Sequence, residues 1–122
     1  MNNQKKVALK RRHHKIRQRL QGTKKRPRLC VFKSNRHIYA QLIDDEQGKV
    51  IAAASDVEIK KQKKIDTTKN ATVKDAEAVG ELIAARAVEG KIKQVVFDRG
   101  GFLYHGLIKA VAEGARKGNL NF

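Results

Sequence analysis

Residues 94–106, QVVFDRGGFLYHG, leave little choice of local structure. Val95, Val96 and Phe97 form a continuous apolar run between Gln94 and Asp98, the pattern of a short strand buried on both faces and expected at the centre of its sheet. Arg99-Gly100-Gly101 frees the backbone for a tight turn, and Phe102, Tyr104 and His105 precede a helical apolar pattern that begins at Leu107. Polar and aromatic groups thus gather at the carboxyl end of a strand, where open α/β sheets tend to bind ligands. An ordinary strand-to-helix connection explains the same local pattern, so the segment points to a contact surface only together with other features.

Charge supplies one such feature. The 122 residues carry 28 Lys and Arg against 12 Asp and Glu, a net +16, and the excess is unevenly spread. Residues 1–28 hold 12 basic residues and no acid, so they account for most of the net charge. Residues 29–122 have the balance and size of one ordinary globular domain, and the chain divides into a basic extension, 1–28, and an α/β domain, 29–122. If residues 4–21 were helical they would span about 27 Å. Only Leu9, Ile16 and Leu20 share an apolar face there, while Arg11, Arg12, Lys15, Arg17 and Arg19 repel one another around the rest. Such a segment orders best against a polyanion, with Gly22 as a helix stop. A membrane-surface helix would need a broad apolar face with aromatic residues, and none precedes Phe32. Nucleic acid is the expected partner, and no membrane is.

The remaining chain reads in order as three strands, a helix, a strand and a helix. Residues 29–32, 37–43 and 50–54 are strand patterns separated by turn clusters at Ser34-Asn35-Arg36 and residues 44–48, which makes a meander. In the middle strand Ile38, Ala40 and Leu42 share one face, and His37, Tyr39, Gln41 and Ile43 the other. Two readings of Tyr39 stay open: it stacks or hydrogen-bonds an RNA group, or it packs with its hydroxyl at the rim. Residues 56–71, with Lys60, Lys61, Lys63 and Lys64, read as a mobile loop whose lysines are solvated or touch phosphate. Thr72-x-x-Asp75 starts a helix that buries Ala76, Val79, Gly80, Ile83 and Ala87, with Gly80 and the alanines allowing close approach to a sheet and Gly90 as the C′ residue. The last helix, residues 106–117, buries Leu107, Ile108, Val111, Ala112 and Ala115.

Little here argues for catalysis. Asp98, His105 and Ser34 or Ser55 nominally supply a hydrolytic triad, but no nucleophile elbow, phosphate loop or dinucleotide fingerprint accompanies them. His13, His14, His37 and His105 are scattered rather than spaced as metal ligands, and neither a metal, another cofactor nor a small-molecule substrate is expected. The one cysteine, Cys30, has no partner for an internal disulfide and reads as a buried strand thiol of a reducing compartment. The longest apolar run, residues 50–54, is too short to span a bilayer, and the acid-free arm lacks the serines and processing site of a transit peptide.

Three blocks then resemble a known family. RPRLCVFKSNRHIYAQ (residues 26–41), AVGELIAARA (78–87) and VVFDRGGFLYHG (95–106), with the closing GNLNF, look like the bacterial-type large-subunit ribosomal protein eighteen, which binds 5S ribosomal RNA. The resemblance implies a βββαβα core, two helices packed on a mixed sheet, and a basic helical extension lying on 5S RNA. It implies a place in the central protuberance of the ribosome, in a bacterial cytoplasm or plastid stroma, with large-subunit rRNA and neighbouring proteins such as large-subunit protein five as partners.

Carried over by position, the resemblance assigns RNA contacts to Arg11, Arg12, His13, His14, Lys15, Arg17, Arg19, Lys24, Lys25, Arg26 and Arg28 in and after the arm. It adds Ser34, Asn35, Arg36, His37 and Tyr39 in the first turn and strand, and Arg99, Gly100, Tyr104 and His105 in the second loop. Leu107 stands where the family usually has arginine, so that contact is either missing or passed to Lys109. The function implied is a non-catalytic structural protein that attaches 5S RNA to the large subunit. The alternatives are a general DNA-binding protein, and a small hydrolase using Asp98 and His105.

Overall fold

The computed structural model describes residues 21–122. The expected arm helix, with Arg11, Arg12, His13, His14, Lys15, Arg17 and Arg19, lies outside the described residues. Strands β1 (Arg28–Lys33), β2 (Ile38–Asp44), β3 (Lys49–Ser55) and β4 (Val96–Asp98) form one sheet in the order β3-β2-β1-β4. The first three make the antiparallel meander that the turn clusters predict, and β4 runs parallel to β1. Helices α1 (Asp56–Gln62), α2 (Val73–Glu89) and α3 (Gly106–Lys117) complete the mixed α/β fold. The expected βββαβα order is present with one short helix more.

Period-two patterning fixes which face of the sheet is buried. Ile38, Ala40 and Leu42 are fully buried while Tyr39, Gln41 and Ile43 are half-buried. On β1, Leu29 pairs with Leu42 and Val31 with Ala40, and both are fully buried. α2 starts at a capping box: Thr72 Oγ1 accepts from the Asp75 amide at 3.2 Å, and Asp75 Oδ2 accepts from the Thr72 amide at 2.8 Å. Its predicted face, Ala76, Val79, Gly80, Ile83 and Ala87, is buried throughout. With Ile108, Val111 and Ala115 of α3 it covers the apolar sheet face in a single core. Among the described residues no helix is long and apolar enough to cross a membrane.

Gly80 permits a close approach to a helix, not to the sheet. A Cβ built on Gly80 would lie 2.1 Å from the Val111 carbonyl oxygen, and one on Gly114 would lie 2.1 Å from that of Glu77. α2 and α3 therefore cross backbone against backbone. Their C-termini shift the expected glycine by one position. Gly90 and Gly118 cap the helices with ordinary φ, whereas Lys91 (φ 60°) and Asn119 (φ 73°) take the left-handed position. The Ile92 amide donates to the Ala87 carbonyl at 2.8 Å and the Leu120 amide to that of Ala115 at 3.2 Å, which closes a Schellman motif at each end.

Two expectations are overturned. The apolar run around β4 is not central: β4 is an edge strand, and Val96 and Phe97 are half-buried. The C-terminal segment covers its outer side, with the Val95 amide donating to the Asn121 carbonyl at 3.0 Å, the Asn121 amide donating to that of Lys93 at 3.0 Å, and the Phe122 ring stacked on Phe97 at 5.4 Å. Nor are residues 56–71 wholly a loop. Ser55 Oγ accepts from the Glu58 amide at 3.3 Å and starts α1, whose Arg86–Glu58 ion pair ties it to α2. Lys60, expected in solvent or on phosphate, is buried. Its ammonium donates to Asp56 Oδ2 at 3.1 Å and to the Lys69 carbonyl at 2.6 Å.

Candidate nucleic-acid interface

The glycine loop after β4 is set by a buried guanidinium. Arg28 Nη1 donates to Asp98 Oδ2 at 2.7 Å, while Nε and Nη2 donate to the two oxygens of Asp45 at 3.0 and 3.1 Å. Asp45 Oδ2 also accepts from the Gly22 amide at 2.7 Å, and Asp98 Oδ1 from the Gly100 amide at 2.9 Å. Four chain segments thus meet at one cation. Burial alone would lower the Arg28 pKa, but the bonds to Asp45 and Asp98 outweigh it and hold the pKa above its ordinary value. These contacts correct two expectations. Arg28 is 3% exposed, with its donors committed inside the protein, so it does not continue the arm's phosphate contacts. Asp98 is fully buried and anchors the loop instead of acting as an acid or base beside His105.

Gly22 serves the same junction. A Cβ there would fall 2.3 Å from the Arg28 amide nitrogen and 2.5 Å from the Ile43 carbonyl oxygen, so only glycine lets this segment pass so close to the strands.

At the far end of β1 the two predicted surfaces converge. Gly100, at φ 67°, lies so close to β1 that a Cβ would be 2.6 Å from the Val31 carbonyl oxygen. Lys33 Nζ sits 5.7 Å from the centroid of Phe102. Arg99, Gly100 and Phe102 therefore adjoin residues 31–33, which lead directly into the turn at Ser34, Asn35 and Arg36. Those three side chains are exposed, and Ser34 Oγ accepts from the His37 amide at 3.2 Å. Arg99 Nε is buried without a hydrogen-bond partner among the described residues.

α1 holds this turn from beneath. Fully buried Asp56 accepts from the Ile38 amide at 2.9 Å through Oδ1, and through Oδ2 it faces His37 Nδ1 at 2.9 Å and Lys60 Nζ at 3.1 Å. A carboxylate only accepts, so Nδ1 carries a proton and Nε2 is the acceptor of the neutral ring. Burial pushes the Asp56 carboxyl up, but the bonds from His37, the Ile38 amide and Lys60 outweigh it and hold it below the usual carboxylate range. The Ala71 amide donates to the Arg36 carbonyl at 2.7 Å, a second tie. No charge pattern in the sequence singles out Asp56; the only available cue was Ser55 followed three residues later by Glu58.

Tyr39, next on β2, stacks on Phe32 at 5.0 Å on the sheet face turned away from α2 and α3. Tyr104 sits apart from it, edge-on to Phe97 at 6.0 Å, with its hydroxyl accepting from Arg116 Nη1 at 3.3 Å. His105 is the exposed N-cap residue of α3 and makes no side-chain capping bond. Leu107 packs against the core, and Lys109 pairs with Glu113 at 3.9 Å. Lys24 and Lys25 lie at the opposite end of the sheet beside Asp44, Lys49 and Lys93, and exposed Arg26 closes a turn with Thr23 next to them. β1 separates the two ends by about 17 Å.

Comparison with known proteins identifies the family of the chain. Residues 3–122 match the family described as "Ribosomal L18 of archaea, bacteria, mitoch. and chloroplast". Proteins named "Large ribosomal subunit protein uL18" are similar along nearly all of the chain. The Synechocystis protein is 51% identical over 122 residues, covering 100% of both chains. That of Microcystis aeruginosa is 51% identical over 117 residues, covering 96% of each, and that of Dictyoglomus turgidum is 53% identical over 111, covering 91% of this chain and 89% of its own. The chain belongs to the ribosomal L18 family, whose members are structural ribosomal proteins and not enzymes.

Proposed function

We propose that this protein is a structural component of the large ribosomal subunit that binds 5S rRNA and helps attach it to large-subunit rRNA in the central protuberance, beside a protein such as large-subunit protein five. The observation that carries the reading is the convergence of Arg99 and Gly100 with Ser34, Asn35, Arg36 and His37 at one end of the sheet. There the exposed cations and the Phe32–Tyr39 stack present groups that suit phosphates and unpaired bases. The basic extension, residues 1–28, supplies salt-dependent affinity, each phosphate neutralised contributing about −0.7 to −0.9 to the log-log salt slope.

The test is binding to 5S rRNA, to an unrelated structured RNA of equal length and to duplex DNA, across a salt series. A 5S preference that persists at high salt, and that falls in Arg36→Ala and Tyr39→Ala with the slope nearly kept for Tyr39→Ala, supports the reading. Equal affinities that collapse together with salt refute it and leave a general polyanion binder.

A further inference from the structure

We propose that the sheet end opposite the glycine loop is a second RNA site, a lysine cleft that grips a phosphodiester backbone independently of the turn and loop. The proposal rests on the RNA-binding reading above and adds to Lys24 and Lys25 three lysines, Lys49, Lys91 and Lys93, that neither the charge pattern nor the family resemblance singles out. A cleft of about 630 Å³ lies between the β2–β3 hairpin, the end of α2 and the segment entering β1. Five lysines line it: Lys24, Lys25, Lys49, Lys91 and Lys93. None of their ammonium groups has a hydrogen bond or ion pair among the described residues, in contrast to those of Lys60, Lys109 and Lys117. Among the described residues the only acid in its wall is Asp44, buried, whose Oδ1 is engaged by the amides of Glu46 and Gln47 at 3.0 and 3.4 Å.

These lysines are not explained by helix capping. Three of the last four carbonyls of α2, those of Arg86, Ala87 and Val88, already accept from the amides of Gly90, Ile92 and Lys91. Five uncompensated cations in one cleft repel one another, and a polyanion relieves that repulsion. A small phosphate is a poor fit. Such ligands favour helix N-termini and rings of backbone amides, whereas the helix end here is a C-terminus, negative in its dipole. Lysines drawn from three segments are flexible point charges suited to a backbone that runs past them. Lys24 and Lys25 also continue the basic run of the arm into the cleft.

The test uses the full-length chain and two probes, 5S rRNA and a blunt RNA duplex of arbitrary sequence. K49A/K91A/K93A changes only exposed side chains without partners among the described residues. It should flatten the log-log salt slope for the duplex by about two to three and weaken binding about tenfold or more near 0.1 M salt. K49R/K91R/K93R should restore both. The triple alanine variant should weaken 5S rRNA and duplex in like proportion, leaving preference intact, whereas R36A/R99A should reduce the preference. An alanine variant with wild-type slope and affinity overturns the proposal. So does displacement of the duplex by millimolar inorganic pyrophosphate with the slope unchanged. A protein without 5S preference whose duplex binding still depends on the three lysines would refute the proposed function and leave the cleft standing.

Discussion

Replacing Asp56 is the most informative single perturbation of the loop end. Among the described residues, Asp56→Ala leaves the buried Lys60 ammonium with the Lys69 carbonyl at 2.6 Å and only Asp75 as a carboxylate within ion-pair distance, at 3.8 Å. It also strips the Ile38 amide and His37 Nδ1 of their acceptor. Breaking one partner of a buried ion pair costs about 3–5 kcal/mol, and part of that already counts the orphaned amide, so a loss of about 4 kcal/mol is expected. Against a total of about 5–15 kcal/mol for a domain, the variant should be folded but marginal. Asp56→Asn with Lys60→Met removes both charges while an amide oxygen still serves the Ile38 N–H, and it should recover at least about 2 kcal/mol of that loss.

Urea denaturation followed by far-UV circular dichroism gives each midpoint, and the slope shows whether the unfolded reference has changed. The pH dependence adds a sign. Asp56 has a folded pKa below its unfolded value of about 3.9, so its contribution is complete above that value and lost as pH falls through the folded pKa. The acid limb of the stability curve should therefore be shallower in the Asn variant. A loss under about 1 kcal/mol for Asp56→Ala, or a double variant whose loss equals the sum of the singles, would refute the buried relay.

Further tests address other junctions. Gly80→Ala places a methyl group where the Val111 carbonyl stands, and it should cost about 1–3 kcal/mol by thermal or urea melting; Gly114→Ala should then add less than its own single effect, since the helices are already apart. Lys91→Gly should raise stability by about 1 kcal/mol, because Lys91 holds a left-handed φ at the Schellman position; a destabilised variant would show that its side chain packs. Arg28→Met leaves buried Asp98 facing an apolar group, and a loss of about 3–5 kcal/mol is expected, with weaker 5S rRNA binding under conditions where the variant remains folded.

Much of the architecture was written in local pattern. The alternation along Ile38, Tyr39, Ala40, Gln41 and Leu42 named the buried face, and Thr72 with Asp75 named the start of α2. What escaped depends on partners distant in the chain. α1 has few apolar residues and too short a span to persist alone; it is held by Ser55 and by the ties of Asp56 to the His37 turn and of Glu58 to Arg86. The run Val95-Val96-Phe97 reads as central because a strand edge covered by a neighbouring segment needs the same apolar residues. Of the predicted RNA contacts, the Ser34–His37 turn and the Arg99-Gly100 loop are brought together, while Tyr104 falls on the helix side of β4. Arg28 was indistinguishable from its basic neighbours in sequence, since only the fold shows Asp45 and Asp98 closing around it.

The parallel pairing of β1 with β4 also orders events in time. Arg28 and Asp98 stand 70 positions apart, and no short turn can join parallel strands. The meander hairpins and the capping box rely on nearer contacts and carry smaller closure entropies. β4 is thus expected to dock last, and pulse-labelled hydrogen exchange during refolding should protect the Val96 amide, bonded to the Pro27 carbonyl, after those of β2. Because Asp98 carries the glycine loop with it, the end proposed to face RNA takes shape only when the rest of the domain has already closed, and a half-folded chain has no such surface to offer.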